Sequence, residues 1–577
     1  MNKLRYICFL TLSLFLIISC RNSSPEDDIH EIEIYSTNDL HGRFFDSLYS
    51  NNSVNAYSLA KVSTFIKERR DLIGAEKIVL LDIGDNLQGD NSVFYYNFVD
   101  TSSGHILSKA FNYIGYDAVV VGNHDIEAGH QVYDKIKKEL KSPLLAANAI
   151  DIKTGKPYFE PYVILNRGGI KIAVIGMTNP NIPKWLSPEL WKGLKFEEMI
   201  TSMDSIVQRV INYEGAQVVI AALHGGLGEE NEYSIENPSR YIAKNIKGLD
   251  FVFAAHDHKT TAEFVINGTD TVWVIEGGSR ASNLSLGKVI LNIENGNVIK
   301  KYKRASLVPM KEVVSDKEYM SEFSREFSEV KKFTNQFTGV LNNRITTRDA
   351  YFGPSEYIDM IHSIQLNASG ADLSFAAPLS LDVTVESGNL TYQDLMNIYP
   401  YENQLYVIEM TGEEIKNYLE YSYSKWINKM TKKSDNLLLL SLSGSGERNR
   451  FKNIFFNFDS GAGILYEVDA TKDYGQKIKI KSMADGSRFE SDKKYRVALS
   501  SYRASGGGDL LEKGAGIPAI ELEKRVVARF SDIREIIYNY LKSNGSITAV
   551  KLDHWKIVPE EFVKEAAVKD YRLLFGE

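Results

Sequence analysis

Five of the chain's ten histidines stand in four short motifs, each closing an apolar run with turn residues. "NDLHG" carries Asp39 and His41, "GNHD" carries Asn123, His124 and Asp125, "ALHGG" carries His224, and "AAHDH" carries His256 and His258. A fifth motif of the same kind, "DIGDN", carries Asp85. Alone, "DLHG", "GDN" and "HGG" are weak and "GNHD" after its valine strand is fairly specific, but it is the set that reads as a metal centre. A hard carboxylate with borderline imidazoles suits divalent Zn²⁺, Mn²⁺, Fe²⁺ or Co²⁺ better than an all-oxygen Ca²⁺ site. On extended backbone, i and i+2 side chains point the same way, so Asp39 would converge with His41 and His256 with His258.

Such residues must be held by a scaffold, and the runs before them supply one. "EIEIYSTND", "KIVLLDIGD", "YDAVVVGNHD", "AQVVIAALHGG" and "LDFVFAAHDH" are β-branched runs ending in Gly, Asn, Asp or His, with helix-compatible segments at 104–114, 128–141 and 196–214. Runs apolar on both faces and joined by helices predict a layered α/β domain whose parallel sheet brings the motifs to one rim. "SLGKVILNIENGNVIKKYKRASLVPM" predicts an edge hairpin leaving that domain, and the charged stretch 315–336 a helical interdomain connection. A second domain is expected over 337–577, with the first over 31–314.

With 577 residues the chain is too long for one core. Its net charge of -8 gives no reason to expect a polymeric nucleic acid as partner. No dinucleotide-binding glycine fingerprint and no "GxxxxGK" phosphate loop occurs. Residues 1–20 have a basic start, an apolar stretch and then "IISC", which resembles the lipobox of bacterial lipoproteins. That resemblance implies a lipid anchor in a membrane through Cys20, a tether over 21–30, and an extracytoplasmic location in the periplasm or on the cell surface. The other cysteine, Cys8, lies in the leader, so the mature chain should hold no disulfide. A monomer is expected.

The ordered series "NDLHG", "DIGDN", "GNHD", "HGG" and "HDH" resembles the two-domain 5'-nucleotidase family of calcineurin-like metallophosphoesterases. The resemblance implies a four-layered α/β-β/α catalytic domain, an α+β substrate-binding C-terminal domain, and two divalent metal ions (Zn²⁺, Mn²⁺ or similar). It places Asp39, His41 and His258 on one metal, Asn123, His224 and His256 on the other, and Asp85 on both. His124 would face the phosphoryl group, with Asp125 orienting its ring. Two cations roughly 3.5 to 4 Å apart suit attack on a phosphoryl centre by activated water. Ala255 stands where the family commonly has glycine before the first histidine of the last motif.

In the second half, "LSFAAPLS", "GNLTYQDLMNIYPYENQLYVIEMTG", "FNFDSGAGILYEVD" and "SSYRASGGG" bring the chain nearest the 2',3'-cyclic-nucleotide 2'-phosphodiesterase/3'-nucleotidase branch. "SFAAPLS" lacks the arginine of the "NGGGIR"-like segment of the plain 5'-nucleotidase branch, for which Arg344 or Arg348 would compensate. Phe456 and Tyr502 occupy the places where the family sandwiches a base, and Asp459 and Asn457 could meet base edges. The expected activity is hydrolysis of nucleotide phosphate esters. The alternatives are the same chemistry on a non-nucleotide phosphate or sulfur ester, and an inactive surface-binding protein.

Overall fold

The computed structural model describes residues 28–49, 53–294, 297–441 and 450–576. The leader, Cys20 and the first part of the tether lie outside the described residues. Along the N-terminal half run β1 (Asp28–Thr37), β2 (Ile78–Asp82), β3 (Ala118–Val120), β4 (Leu144–Leu145), β5 (Tyr162–Arg167), β6 (Ile170–Met177), β7 (Val218–Leu223), β8 (Phe251–Ala254), β9 (Thr260–Asn267), β10 (Asp270–Gly277), β11 (Asn283–Glu294) and β12 (Asn297–Pro309).

These strands form two six-stranded sheets in the orders β12-β11-β1-β2-β3-β4 and β9-β10-β8-β7-β6-β5. The strand pattern alone implies a parallel sheet, and the strands divide between two such sheets as the four-layered arrangement of the resemblance implies. In each, the parallel centre carries antiparallel strands on its flank, β11 and β12 in one and β5 and β9 in the other. β2 and β7 are buried at every position because both of their faces are covered. Ile32, Ile34, Val79 and Leu81 of the first sheet share a core with Val174, Ile220 and Phe253 of the second. The outer faces are covered by α1 (Leu59–Ile73) on one side and by the helix Met199–Asn212 on the other. The result is four layers, α/β-β/α.

The C-terminal half is built on a five-stranded sheet of β13 (Leu373–Ala376), β14 (Gln404–Thr411), β15 (Ser460–Ala462), β16 (Lys494–Ser500) and β17 (Val526–Asp532), in the order β15-β13-β16-β14-β17. The helix Glu356–Ser369 packs on one face and Gly412–Trp426 on the other. The second of these starts with a capping box, Thr411 with Glu414, which satisfies the free N–H groups of its first turn. No described helix is long and apolar enough to cross a membrane.

The stretch 315–336 folds as two helices, Lys317–Glu322 and Ser324–Thr334. Tyr319, Phe323 and Val330 are buried in the N-terminal core, and Ser63 Oγ donates to Asp316 Oδ2 at 2.8 Å. It is thus docked onto the first core instead of standing free between two units.

Candidate metal centre

The motifs meet where the two sheets present their parallel strand ends. Asp39 and His41 follow β1, Asp85 follows β2 and Asn123 follows β3, while His224 follows β7 and His256 and His258 follow β8. Each sheet supplies part of the cluster, so the site exists only because the sheets stack. Ligand-capable atoms of Asp39, His41 and His258 lie within 4.8 Å of one another, as do those of Asp85, His224 and His256.

The i, i+2 pairs converge by a different route from the one expected. Asp39, His41, Asp85, His256 and His258 all have φ between 47° and 87°, the left-handed region that side chains rarely adopt. They make up five of the nine non-glycine residues with positive φ among the described residues, so backbone strain is concentrated at this cluster. Tight turns, not extended segments, aim the ligands. Glycine is required at 122, where a Cβ would come 2.2 Å from Asp85 Oδ1.

Hydrogen bonds fix the tautomers. His41 Nδ1 donates to Gln88 O at 3.0 Å and His224 Nδ1 to Ile83 O at 2.7 Å, since a carbonyl can only accept. Their Nε2 lone pairs therefore face inward. His41 Nε2 lies 3.1 Å from His258 Nε2, and His224 Nε2 lies 3.1 Å from Asn123 Oδ1 and 3.2 Å from Asp85 Oδ2. Acceptor facing acceptor at such distances repels unless a proton or a cation stands between them. The donor set thus fits cations, in two groups, Asp39 with His41 and His258, and Asp85 with His224 and His256.

Electrostatics agree with the geometry. Burial pushes His41 down to about 4, leaving it a neutral ligand. Burial also opposes charge on His224, but the Asp85 carboxylate beside it outweighs this and raises it to about 9. Burial likewise opposes charge on Asp85, yet the imidazoles of His224 and His124 hold its carboxyl well below the usual range. The pocket attracts positive charge and keeps its carboxylates ionised.

His124 stands beside the cluster, its ring centroid 5.5 Å from that of His41. The expectation that Asp125 orients this ring needs correction. Asp125 accepts from the backbone N–H of Asp85, Asn86, Leu87 and Gly122, at 2.8 to 3.1 Å, and so ties two ligand loops together. The group on the ring is Glu127, whose Oε2 pairs with His124 Nδ1. Residues 123–127 form a short helix, so i and i+3 share a face. Sequence reading also missed Trp185, stacked on His256 with centroids 5.2 Å apart, and Glu236, whose Oε1 lies 3.2 Å from His256 Nε2.

The C-terminal half closes over this rim. Lys184 pairs with Asp509 at 3.0 Å, and the Arg534 guanidinium lies 4.8 Å over the Phe94 ring. Phe456 and Tyr502 are half-buried, and Phe456 meets Tyr401 edge-on at 6.1 Å. Both segments are stapled by the buried Arg503, which donates to Phe456 O at 2.6 Å, Asn457 Oδ1 at 2.8 Å and Gly507 O at 3.1 Å, and stacks on Tyr502.

Three substrate-contact expectations change here. Asp459 is buried and bound by Arg503 at 2.7 Å and by Tyr418, so it anchors Arg503 instead of meeting a base. Arg344 pairs with Glu386 at 3.2 Å. Arg348 pairs with Asp382 at 2.5 Å and lies 5.1 Å over the Phe575 ring. Both arginines are thus engaged within the C-terminal half.

Comparison with known proteins follows the same division. Residues 32–260 match the calcineurin-like phosphoesterase family, and residues 332–513 match the 5'-nucleotidase C-terminal domain, together well over half of the chain. The chain is 26% identical over 559 residues to a 5'-nucleotidase of Vibrio parahaemolyticus, covering 90% of each. It is 24% identical over 620 residues to a 2',3'-cyclic-nucleotide 2'-phosphodiesterase/3'-nucleotidase of Yersinia enterocolitica, covering 95% of this chain and 91% of that one. Its fold is similar to that of the 5'-nucleotidase precursor of Thermus thermophilus, with a TM-score of 0.64 at 18% identity over 92% of this chain and 100% of that one. Strand-end ligands, stacked sheets and a capping second half agree with both matches: the chain belongs to the calcineurin-like phosphoesterases that carry a 5'-nucleotidase C-terminal domain.

Proposed function

We propose that the chain hydrolyses phosphate esters of nucleotides, with 5'-, 3'- and 2',3'-cyclic phosphates as the candidate substrates. The observation that carries this reading is the inward convergence of lone pairs from Asp39, His41, His258, Asn123, His224, His256 and Asp85 at one rim, with Tyr401, Tyr502 and Phe456 of the C-terminal half beside it. Asp39, His41 and His258 would hold one divalent ion and Asn123, His224 and His256 the other, with Asp85 between them. When bound, the ions supply Lewis-acid charge and a water acidic enough to ionise near neutral pH.

The chain's own groups do the rest. Burial opposes charge on the His124 ring, but the Asp85 and Glu127 carboxylates outweigh it and raise the ring to about 10, so the imidazolium gives Nδ1–H to Glu127 and keeps Nε2–H to donate to a phosphoryl oxygen as charge grows on it. Glu127 also holds the ring in one orientation. Phe456 and Tyr502 offer flat apolar faces to a base, and this stacking accepts any base. Arg503 keeps the two aromatic segments in register, a positioning role. From the "IISC" motif the enzyme is placed outside the cytoplasm, anchored through Cys20.

The test is a panel of 5'-AMP, 3'-AMP, 2',3'-cyclic AMP and bis(p-nitrophenyl) phosphate with metal-stripped and Mn²⁺- or Zn²⁺-reloaded protein. Reloading should restore turnover of at least one nucleotide. Turnover of the nitrophenyl ester with none of the nucleotides cleaved would move the substrate out of this class.

A further inference from the structure

β1 begins at Asp28, paired with Ile293 of β11, and runs ten residues, about 33 Å, toward Asp39. The chain therefore enters the fold at the end of the sandwich opposite the metal cluster. At that end and along the adjoining edge, Ile29, Phe264, Ile266, Ile299 and Tyr302 are each 53% to 66% exposed. They come from β1 and from the two edge strands β9 and β12. These edges adjoin where Phe264 meets Trp273 of β10 at 5.6 Å and the Trp273 Nε1–H donates to Lys303 O of β12 at 3.1 Å.

On β12, Lys300, Tyr302 and Arg304 alternate along one face, and Lys300 Nζ sits 4.6 Å over the Tyr302 ring. The carboxylates of β1 on the same face are already matched, Glu31 by Lys288 and Glu33 by Arg69 at 2.6 Å. Lys301 and Lys303 point the other way, onto Asp250 at 2.9 and 3.2 Å. The edge is thus aromatic and aliphatic, with Lys300 and Arg304 as the cations on the outer face of β12 and with Glu263 and Asp270 matched by Arg240 and Lys303.

We propose that this edge is the surface that rests on an anionic lipid bilayer, so that the metal cluster faces away from the headgroups. The inference rests on the Cys20 anchor. Seven residues separate Cys20 from Asp28, so an acylated Cys20 holds the start of β1 within about 29 Å of its lipid, at ~3.6 Å per step. A lipid anchor on a short tether fixes distance and not orientation, so a second contact selects the face that meets the bilayer. Tyrosine with basic neighbours supplies one, because the ring lies at the headgroup level and the cations meet anionic lipid.

The test uses the full acylated chain in a Cys8→Ser background, floated with phosphatidylglycerol-containing vesicles that carry a spin-labelled headgroup lipid. Single cysteines at Phe264→Cys and Ile299→Cys, and at Ile235→Cys near the metal end as a control, receive a fluorophore. Quenching at 264 and 299 should exceed that at 235 by at least threefold, and Lys300→Glu with Arg304→Glu should reduce it while turnover of a soluble nucleotide is unchanged. Flotation with equal quenching at all three sites would overturn the face and leave the anchor standing. Failure to float would overturn the anchor reading and the face with it. A concentration-dependent dimer that Ile299→Asp abolishes would assign the edge to a second copy and also overturn the proposal.

Discussion

Glu127 stands one helical turn after His124, and its carboxylate holds Nδ1 of that ring, while Asp125 between them points back into the ligand loops. Glu127→Gln should therefore lower kcat by roughly 10- to 100-fold while metal content stays at the wild-type value, because the amide no longer stabilises a cationic ring. Steady-state kinetics beside elemental analysis reads this directly. A loss of metal in this variant would show Glu127 to be part of the ligand framework.

Asp125→Ala should behave differently. Four backbone N–H groups at the base of two ligand loops would lose their acceptor, each costing on the order of 1 kcal/mol or more when buried. Melting temperature and metal affinity should fall together. Intact stability with only kcat reduced would contradict the assignment.

Phe456→Ala and Tyr502→Ala should each raise KM for nucleotides by roughly 5- to 30-fold, the effect of losing about 1 to 2 kcal/mol of stacking. Hydrolysis of p-nitrophenyl phosphate, which has no base, should change little. Equal losses on both substrates would mean that these aromatics serve the fold.

Asp570 gives a pH-dependent stability expectation away from the site. Burial pushes its carboxyl up to about 6, although Oδ2 accepts the Leu438 N–H at 2.8 Å. A carboxyl raised on folding contributes stability that is full below about pH 4, its unfolded value, and is lost as pH rises through about 6. Asp570→Asn should therefore match wild type at pH 4 and exceed it at pH 8 by about 1 to 3 kcal/mol. Denaturant melts at the two pH values check this, and an equal difference at both would refute it.

The ligand types were legible in sequence because each closes an apolar strand, and strand ends share a rim. The strained turns that aim them were not, since nothing in "NDLHG" distinguishes an extended Asp39 from a left-handed one. Glu127 was missed because "GNHD" reads as a turn, whereas the helix that starts at Asn123 brings i+3 onto the ring. Asp459 looked like a base contact because the residue that buries it, Arg503, lies 44 positions away. The charged stretch 315–336 reads as helical in sequence, but its composition does not say which core it docks on, and the burial of Tyr319 and Val330 in the N-terminal core gives the answer. The segment Phe455–Asn457 is a single 3-10 turn, a local shape that the run "FNFD" does not announce, and it keeps the Phe456 ring half exposed.

If Asp85 joins two cation sites, equilibrium titration of stripped protein with Zn²⁺ or Mn²⁺, read by elemental analysis after dialysis, will show it in the stoichiometry. Wild type should retain two equivalents per chain, His258→Ala close to one, and Asp85→Asn less than one, with activity on a nucleotide returning only as the second equivalent binds. Two equivalents retained by Asp85→Asn with near-normal turnover, or one equivalent sufficing for full activity in the wild type, would contradict the account.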